Sequence, residues 1–226
     1  MALATIGNRI TDLIGSEYST IPSNSYEDLI RAAFNEVADL LPSELLLKYI
    51  HYKTDISTSG GMDSPEEKKI LLVTREIDDS SSEIRQCIAV AYHEFLRAQD
   101  SNSMYFATVE SPIYTYDINA ATDPKLKIFP VPTLAQKGTI WHFNYLGTSD
   151  TPSGETTING FPDSCLQAAV LKACINIVQT YVSDFVQDEE DNEMLSMLNA
   201  QIQSLSGLYT VEINRFKEAD ATPRGE

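Results

Sequence analysis

From Leu166 to Phe216, apolar residues return at helical spacing almost without interruption. Leu166, Ala169, Val170, Ala173, Ile177, Val178, Tyr181 and Phe185 make one broad apolar face. Small Ala and Cys residues stand between the large ones, so a neighbouring helix can approach closely. Pro162 suits the first helical position, and Asp163 suits the positive end of the dipole. Leu195, Leu198, Ile202, Leu205, Tyr209 and Phe216 then recur at intervals of three and four, with Glu212 breaking the seam. That second helix spans roughly 40 Å at about 1.5 Å per residue. Two successive amphipathic helices require a helical core.

The N-terminal part supplies more of it. Ile10, Leu13 and Ile14 form a short helical pattern that Gly15 ends. Ser25 precedes Tyr26-Glu27-Asp28, placing a side-chain cap and early acids where free N–H groups favour them. Leu29, Ile30, Ala33, Phe34, Val37, Leu40 and Leu41 follow as one stripe. Pro42 closes this helix, and Ser43 is placed to cap a shorter one carrying Leu45, Leu46, Leu47 and Tyr49.

The middle of the chain changes period. ILLVTR at 70–75 and IRQCIAV at 84–90 read as strands, and YHEFLRAQD at 92–100 as a short helix. MYFATV, PIYTYDI, KIFPV and TIWHFNYL are short β-like runs punctuated by Pro124, Pro130, Pro132 and Gly138. The expected fold class is therefore α+β, a mainly helical bundle with an inserted antiparallel β region. One domain covers 1–226. Its bundle comprises 25–52 and 162–218, its β-rich insertion or arm 69–146, and its flexible loops 53–68 and 147–160. The β region 104–146 is expected to protrude and touch neighbouring chains.

Charge restricts the partners. Thirty-three Asp and Glu oppose sixteen Lys and Arg, a formal charge of −17. Such a surface repels nucleic acid and anionic lipid over roughly a Debye length, and clustered cations for phosphate contacts are lacking. The excess serves either solubility or a channel wall past which DNA slides without sticking. No uninterrupted apolar run approaches the roughly 20 residues of a membrane span, and the N-terminus does not read as a secretory signal. Synthesis in a cytoplasm, with no membrane partner, is expected. Cys87, Cys165 and Cys174 are odd in number and form no CxxC pair, so buried thiols in a reducing compartment are expected. Cys165 and Cys174, nine residues apart on one helix, fall on opposite faces.

Catalytic patterns are scarce. The histidines are His51, His93 and His142. His93-Glu94 opens like a zinc-protease helix, but Arg97 stands where the second histidine belongs. No G-x-S-x-G elbow, P-loop or G-x-G-x-x-G occurs, and the acidic run 188–193 lacks the glycine and alternating oxygens of a calcium loop. No catalytic, cofactor-binding or metal-ligating residue is nominated, no cofactor is expected, and the chain does not read as an enzyme. Aromatic residues gather in the β region at Tyr105, Phe106, Tyr114, Tyr116, Phe129, Trp141, Phe143 and Tyr145. With few interleaved cations, core and interface packing suits them better than base stacking.

Four pieces carry a resemblance: SYEDLIRAAFNEVADLLP, ILLVTRE, SMYFATVESPIYTYD leading through LKIFPVPT to GTIWHFNYL, and FPDSCLQAAVLKACINIVQTYV. Together, over residues 25–220, they resemble the head–tail connector (adaptor) proteins of tailed bacteriophages, including the tail-tubular-A type. The resemblance implies a virion structural protein of the neck. Many copies, usually twelve, form a ring below the portal protein, extend the DNA channel and dock tail or neck proteins, while DNA passes through without specific binding. No site residue carries over. Other readings are a tail-completion, stopper or baseplate component, an acidic host-directed or DNA-mimic binding protein, and a hydrolase with dispersed carboxylates.

Overall fold

The computed structural model describes residues 4–15, 23–49, 52–57, 61–63, 65–78, 83–117, 125–188 and 192–221. His51, Pro124 and the side chains of 184–191 lie outside the described residues. Contacts divide the chain into two compact units: residues 1–49 with 146–226, and residues 50–145.

The first unit is helical. Helix α1 (Ile6–Ile14) starts where the Thr5 hydroxyl accepts the Asn8 N–H at 3.2 Å, and it buries Ile6, Ile10 and Ile14. Helix α2 (Ser23–Leu40) buries Ile30, Ala33, Phe34 and Val37. It begins two residues before Ser25, which lies inside the helix rather than at its cap. Helix α3 (Ser43–Leu47) has Pro42, not Ser43, at its N-cap and makes no side-chain cap bond. A 3-10 turn at Asp163–Cys165 leads into α5 (Leu166–Asp188), which is followed by α6 (Asn192–Ala221). Helix α4 belongs to the other unit.

Between Ala168 and Val178 only Lys172 and Asn176 escape burial on α5. The helix is covered on several sides because α1, α2 and α6 all pack against it. Asp163–Ser183 is long and apolar enough by composition to cross a membrane. Here its apolar circumference is accounted for by three packed helices. On α6, Leu198, Leu205 and Ile213 are buried. Lys172 on α5 reaches Glu36 on α2 at 2.8 Å and lies 6.0 Å above the Tyr209 ring of α6.

Segment 147–160, expected as a flexible loop, is anchored. Glu27, Arg31 and Asn35 recur every four residues along α2 and so share one side of it. The Glu27 carboxylate accepts from the Ser153 backbone and hydroxyl, the Arg31 guanidinium donates to the Asp150 carbonyl at 2.5 Å, and the Asn35 amide both donates to and accepts from the Leu146 backbone. Pro152–Gly154 forms a 3-10 turn against α1 and α2.

The second unit is built on two four-stranded sheets. One has the order β1 (Lys53–Ile56), β8 (Gly138–Asn144), β3 (Lys68–Glu76), β4 (Ile84–Gln86), all antiparallel. The other runs β2 (Met62–Asp63), β7 (Lys125–Phe129), β6 (Ile113–Asp117), β5 (Ile88–Ala89). It is mixed, because β5 pairs parallel to β6. The chain changes sheet four times, between β1 and β2, between β2 and β3, at Cys87 between β4 and β5, and between β7 and β8. Ile56, Val73 and Ile140 from the first sheet and Met62, Leu126 and Ile128 from the second form one core with Cys87. At Gly138 an added Cβ would lie 2.6 Å from Ile128 Cδ1, so glycine lets β8 approach the second sheet without displacing that side chain. The opposite face of the second sheet is covered by α4 (Tyr92–Ala98), where Phe95 and Ala98 pack with Ala107 and Ile113.

These features correct the expected fold class. The chain is a mixed α/β protein, half helix and about a fifth strand, not a mainly helical bundle with an antiparallel insert. The β part has two sheets, its own core and its own helix. Part of the segment expected as a flexible loop at 53–68 supplies β1, β2 and a 3-10 turn at Pro65–Glu67. Backbone pairing to β8 and β7 recruits these largely polar segments, whose apolar Ile56 and Met62 reach the core. Conversely, MYFATV at 104–109 forms turns with a single bridge between Thr108 and Ser111.

Leu198 is 7% exposed, so Leu198→Asp strands a charge in an apolar seam and is expected to cost about 3–5 kcal/mol. The readout is the thermal transition of far-ultraviolet circular dichroism, dominated by the helical unit. An unchanged transition would place residue 198 on the surface.

Candidate interaction surface

The interior groups are structural in character. Cys87, Cys165 and Cys174 are all free and buried. Burial pushes the Cys87 and Cys174 thiols up to about 12 and raises Cys165, which suppresses the reactive thiolate. Cys165 stands in the turn before α5, and Cys174 within the helix. Among the described residues, no group of three or more His, Cys, Asp or Glu side chains is placed to hold one metal ion. His93 is exposed on α4, and His142 is buried on β8.

Arg75, from the ILLVTRE phrase, is 2% exposed. Its Nε donates to the Pro130 carbonyl at 2.9 Å and Nη1 to the Glu76 carbonyl at 2.8 Å. Nη2 reaches the Val131 carbonyl and Gln136 Oε1, each at 3.4 Å. Burial lowers its pKa, and the neighbouring Cys87 opposes that shift. A planar fork of donors is suited to several carbonyls at once. Arg75 thus ties β3 to the 130–136 loop, which follows the cis Phe129–Pro130 peptide.

His142 Nε2 lies 3.0 Å from the Thr54 hydroxyl, and its ring stacks with Tyr52 at 6.3 Å. Burial lowers its pKa, Asn144 opposes the shift, and Lys68 adds to it.

The surface holds the more unusual feature. Met104 is 89% exposed and Leu134 81%. Tyr105, Phe106 and Val131 are also exposed. Phe106 contacts Phe129 edge-on at 6.1 Å, and Arg97 lies 4.7 Å above the Tyr105 ring. The Phe129 ring also meets Phe95 at 6.2 Å. Part of each aromatic cluster therefore anchors the loop, and the rest faces outward. Single exposed apolar residues are ordinary, whereas adjacent ones in a folded loop mark contact surface. Of the aromatics seen in the sequence, Phe143 is core, Tyr114 half-buried against the core, and Tyr105 and Phe106 outside. Apolar side chains also face outward on α6, at Met194, Met197, Leu208 and Val211. The heptad spacing of the buried seam had hidden these.

No protein-family model matches the chain, and no curated protein matches it significantly.

Trp141 is the sole tryptophan and sits on β8, so its fluorescence reports the β unit. Arg75→Met removes the donors to the Pro130 and Val131 carbonyls and is expected to lower the stability of that unit by about 2–4 kcal/mol in urea. No loss would mean that the loop holds without the clamp. A second expectation concerns acid. Because the folded-state pKa of His142 lies below its ordinary 6.5, the unfolded chain takes up the proton first. The contribution of His142 is therefore complete above about pH 6.5 and is lost as pH falls from there through the lowered pKa. His142→Gln is expected to flatten that part of the Trp141-monitored stability profile. An identical slope in the variant would assign the acid response to other groups.

Proposed function

We propose that this chain is a virion structural protein of the phage neck, a head-to-tail adaptor whose copies form a ring below the portal. In that role it extends the DNA channel and docks the tail. The resemblance of four sequence phrases to the adaptor family motivates the reading. The observation that carries it is the set of exposed apolar side chains on loops of the β unit, Met104 through Phe106 and Leu134. A subunit that must bind neighbours needs apolar side chains outside its own core. An acid-rich chain of net charge −17 is suited to letting DNA slide past.

Ring closure needs a head-to-tail contact repeated by rotation. These exposed loop residues supply partner surface for such a contact or for the tail. The Met104→Asp/Leu134→Asp double variant tests this, because both side chains are exposed and neither change touches a core. The variant is expected to melt like the wild type by circular dichroism and Trp141 fluorescence. In a phage lacking its own copy, the variant is expected to leave filled heads without tails, where the wild-type chain restores infectious particles. Full titre from the folded variant would contradict the reading.

A further inference from the structure

Helix α6 carries a second stripe beside the seam that packs on α5. From Glu193 to Arg215 one line of exposed residues, beside a more polar exposed line from Asn192 to Asn214, recurs at steps of 4, 3, 4, 4, 3 and 4. These steps average close to the helical repeat, so the stripe runs nearly straight for about 33 Å at roughly 1.5 Å per residue. The spacing reads the same in both directions about Ser204. Antiparallel helices bring together residues whose numbers sum to a constant. A two-fold axis at Ser204 therefore sets Glu193 against Arg215, Met197 against Val211, Ala200 against Leu208, and Ser204 against itself.

Each pairing is chemically matched. The acid meets the base at both ends of the stripe. Met197 and Val211, 66% and 61% exposed, meet as apolar partners. Small Ala200 receives Leu208, which is 52% exposed. Small Ser204 lets the helices close at the axis. Arg215 holds Glu212 of its own helix at 2.9 Å, and its fork has donors to bridge a second carboxylate. A parallel pairing would instead oppose Glu193 to Glu193 and Arg215 to Arg215. The stripe is complementary to itself only when reversed.

We infer that the free chain forms a two-fold homodimer through the exposed stripe of α6, paired antiparallel about Ser204. This inference does not rest on the neck reading. A polar ring has no two-fold axis between its copies, so the pair belongs to the unassembled chain. The charge of −17 on each copy opposes association at low salt. At about 0.15 M salt the Debye length falls to about 8 Å, leaving the contacts along the stripe in control.

Native mass spectrometry and sedimentation of the full chain at physiological salt test the pairing. The wild type is expected at twice the chain mass of 25.1 kDa. Val211→Asp is expected at the single mass with an unchanged melting temperature, because residue 211 is exposed. A Met197→Cys chain mixed with a Val211→Cys chain is expected to join through a short bis-maleimide, and neither variant to join with itself. The native cysteines are buried. A wild type at single mass up to the highest soluble concentration would overturn the inference. So would a Val211→Asp variant still at twice the mass, or a Met197→Cys variant that joins only with itself.

Discussion

The first unit depends on a helix that has almost no free side. Between Ala168 and Val178, α5 exposes neither a continuous polar face nor a solvent stripe. A helix apolar nearly all round must be covered by other helices or by lipid. Here α1, α2 and α6 provide the cover, and the alanines among its buried residues set how near they come. One of the two non-buried positions is used as well, since Lys172 extends its charge to Glu36 and lies over Tyr209. Burial raises the Tyr209 hydroxyl pKa, and Glu36 adds to the rise, so the ring stays neutral beside the ion pair.

The β unit solves a different problem. Its strands are short, and two short sheets become stable when they share a core. The chain achieves this by crossing between sheets, with Cys87 at one crossing, and by allowing close approach at Gly138. Arg75 then fixes the loop beyond β7 through carbonyls rather than a carboxylate. Four buried donors satisfied by backbone and amide oxygens hold one geometry, at the cost of desolvating the cation. The loop that Arg75 holds leaves Val131 and Leu134 exposed.

The long helices were legible because apolar spacing of three and four persists over many turns, as from Leu166 to Val178 and from Leu195 to Leu205. Strands β3, β6, β7 and β8 were legible because Val, Ile, Tyr and Phe mark them. Strand β1 was not, because Lys53-Thr54-Asp55 carries no such mark and is recruited by pairing with Trp141, Ile140 and Thr139. MYFATV misled for the complementary reason: its β-favouring side chains suit a pleated, half-buried surface, yet Met104–Phe106 pair with no strand among the described residues. The clasp of Glu27, Arg31 and Asn35 was written at helical spacing on the polar side of α2, where a solvated face is the ordinary expectation. The outer stripe of α6 was masked by the stronger seam beside it, and Ile213 rather than Phe216 supplies the last buried residue of that seam.

Apolar surface remains outside both cores, at Met104–Phe106 and Leu134 and along α6. The chain's position in an assembly is the claim that gives those surfaces a purpose. Electron cryo-microscopy of purified tailed particles carrying a C-terminally tagged copy of this chain tests it most directly. The account predicts tag density in a ring between portal and tail. Particles that lack the chain, or that carry it away from the neck, would contradict it.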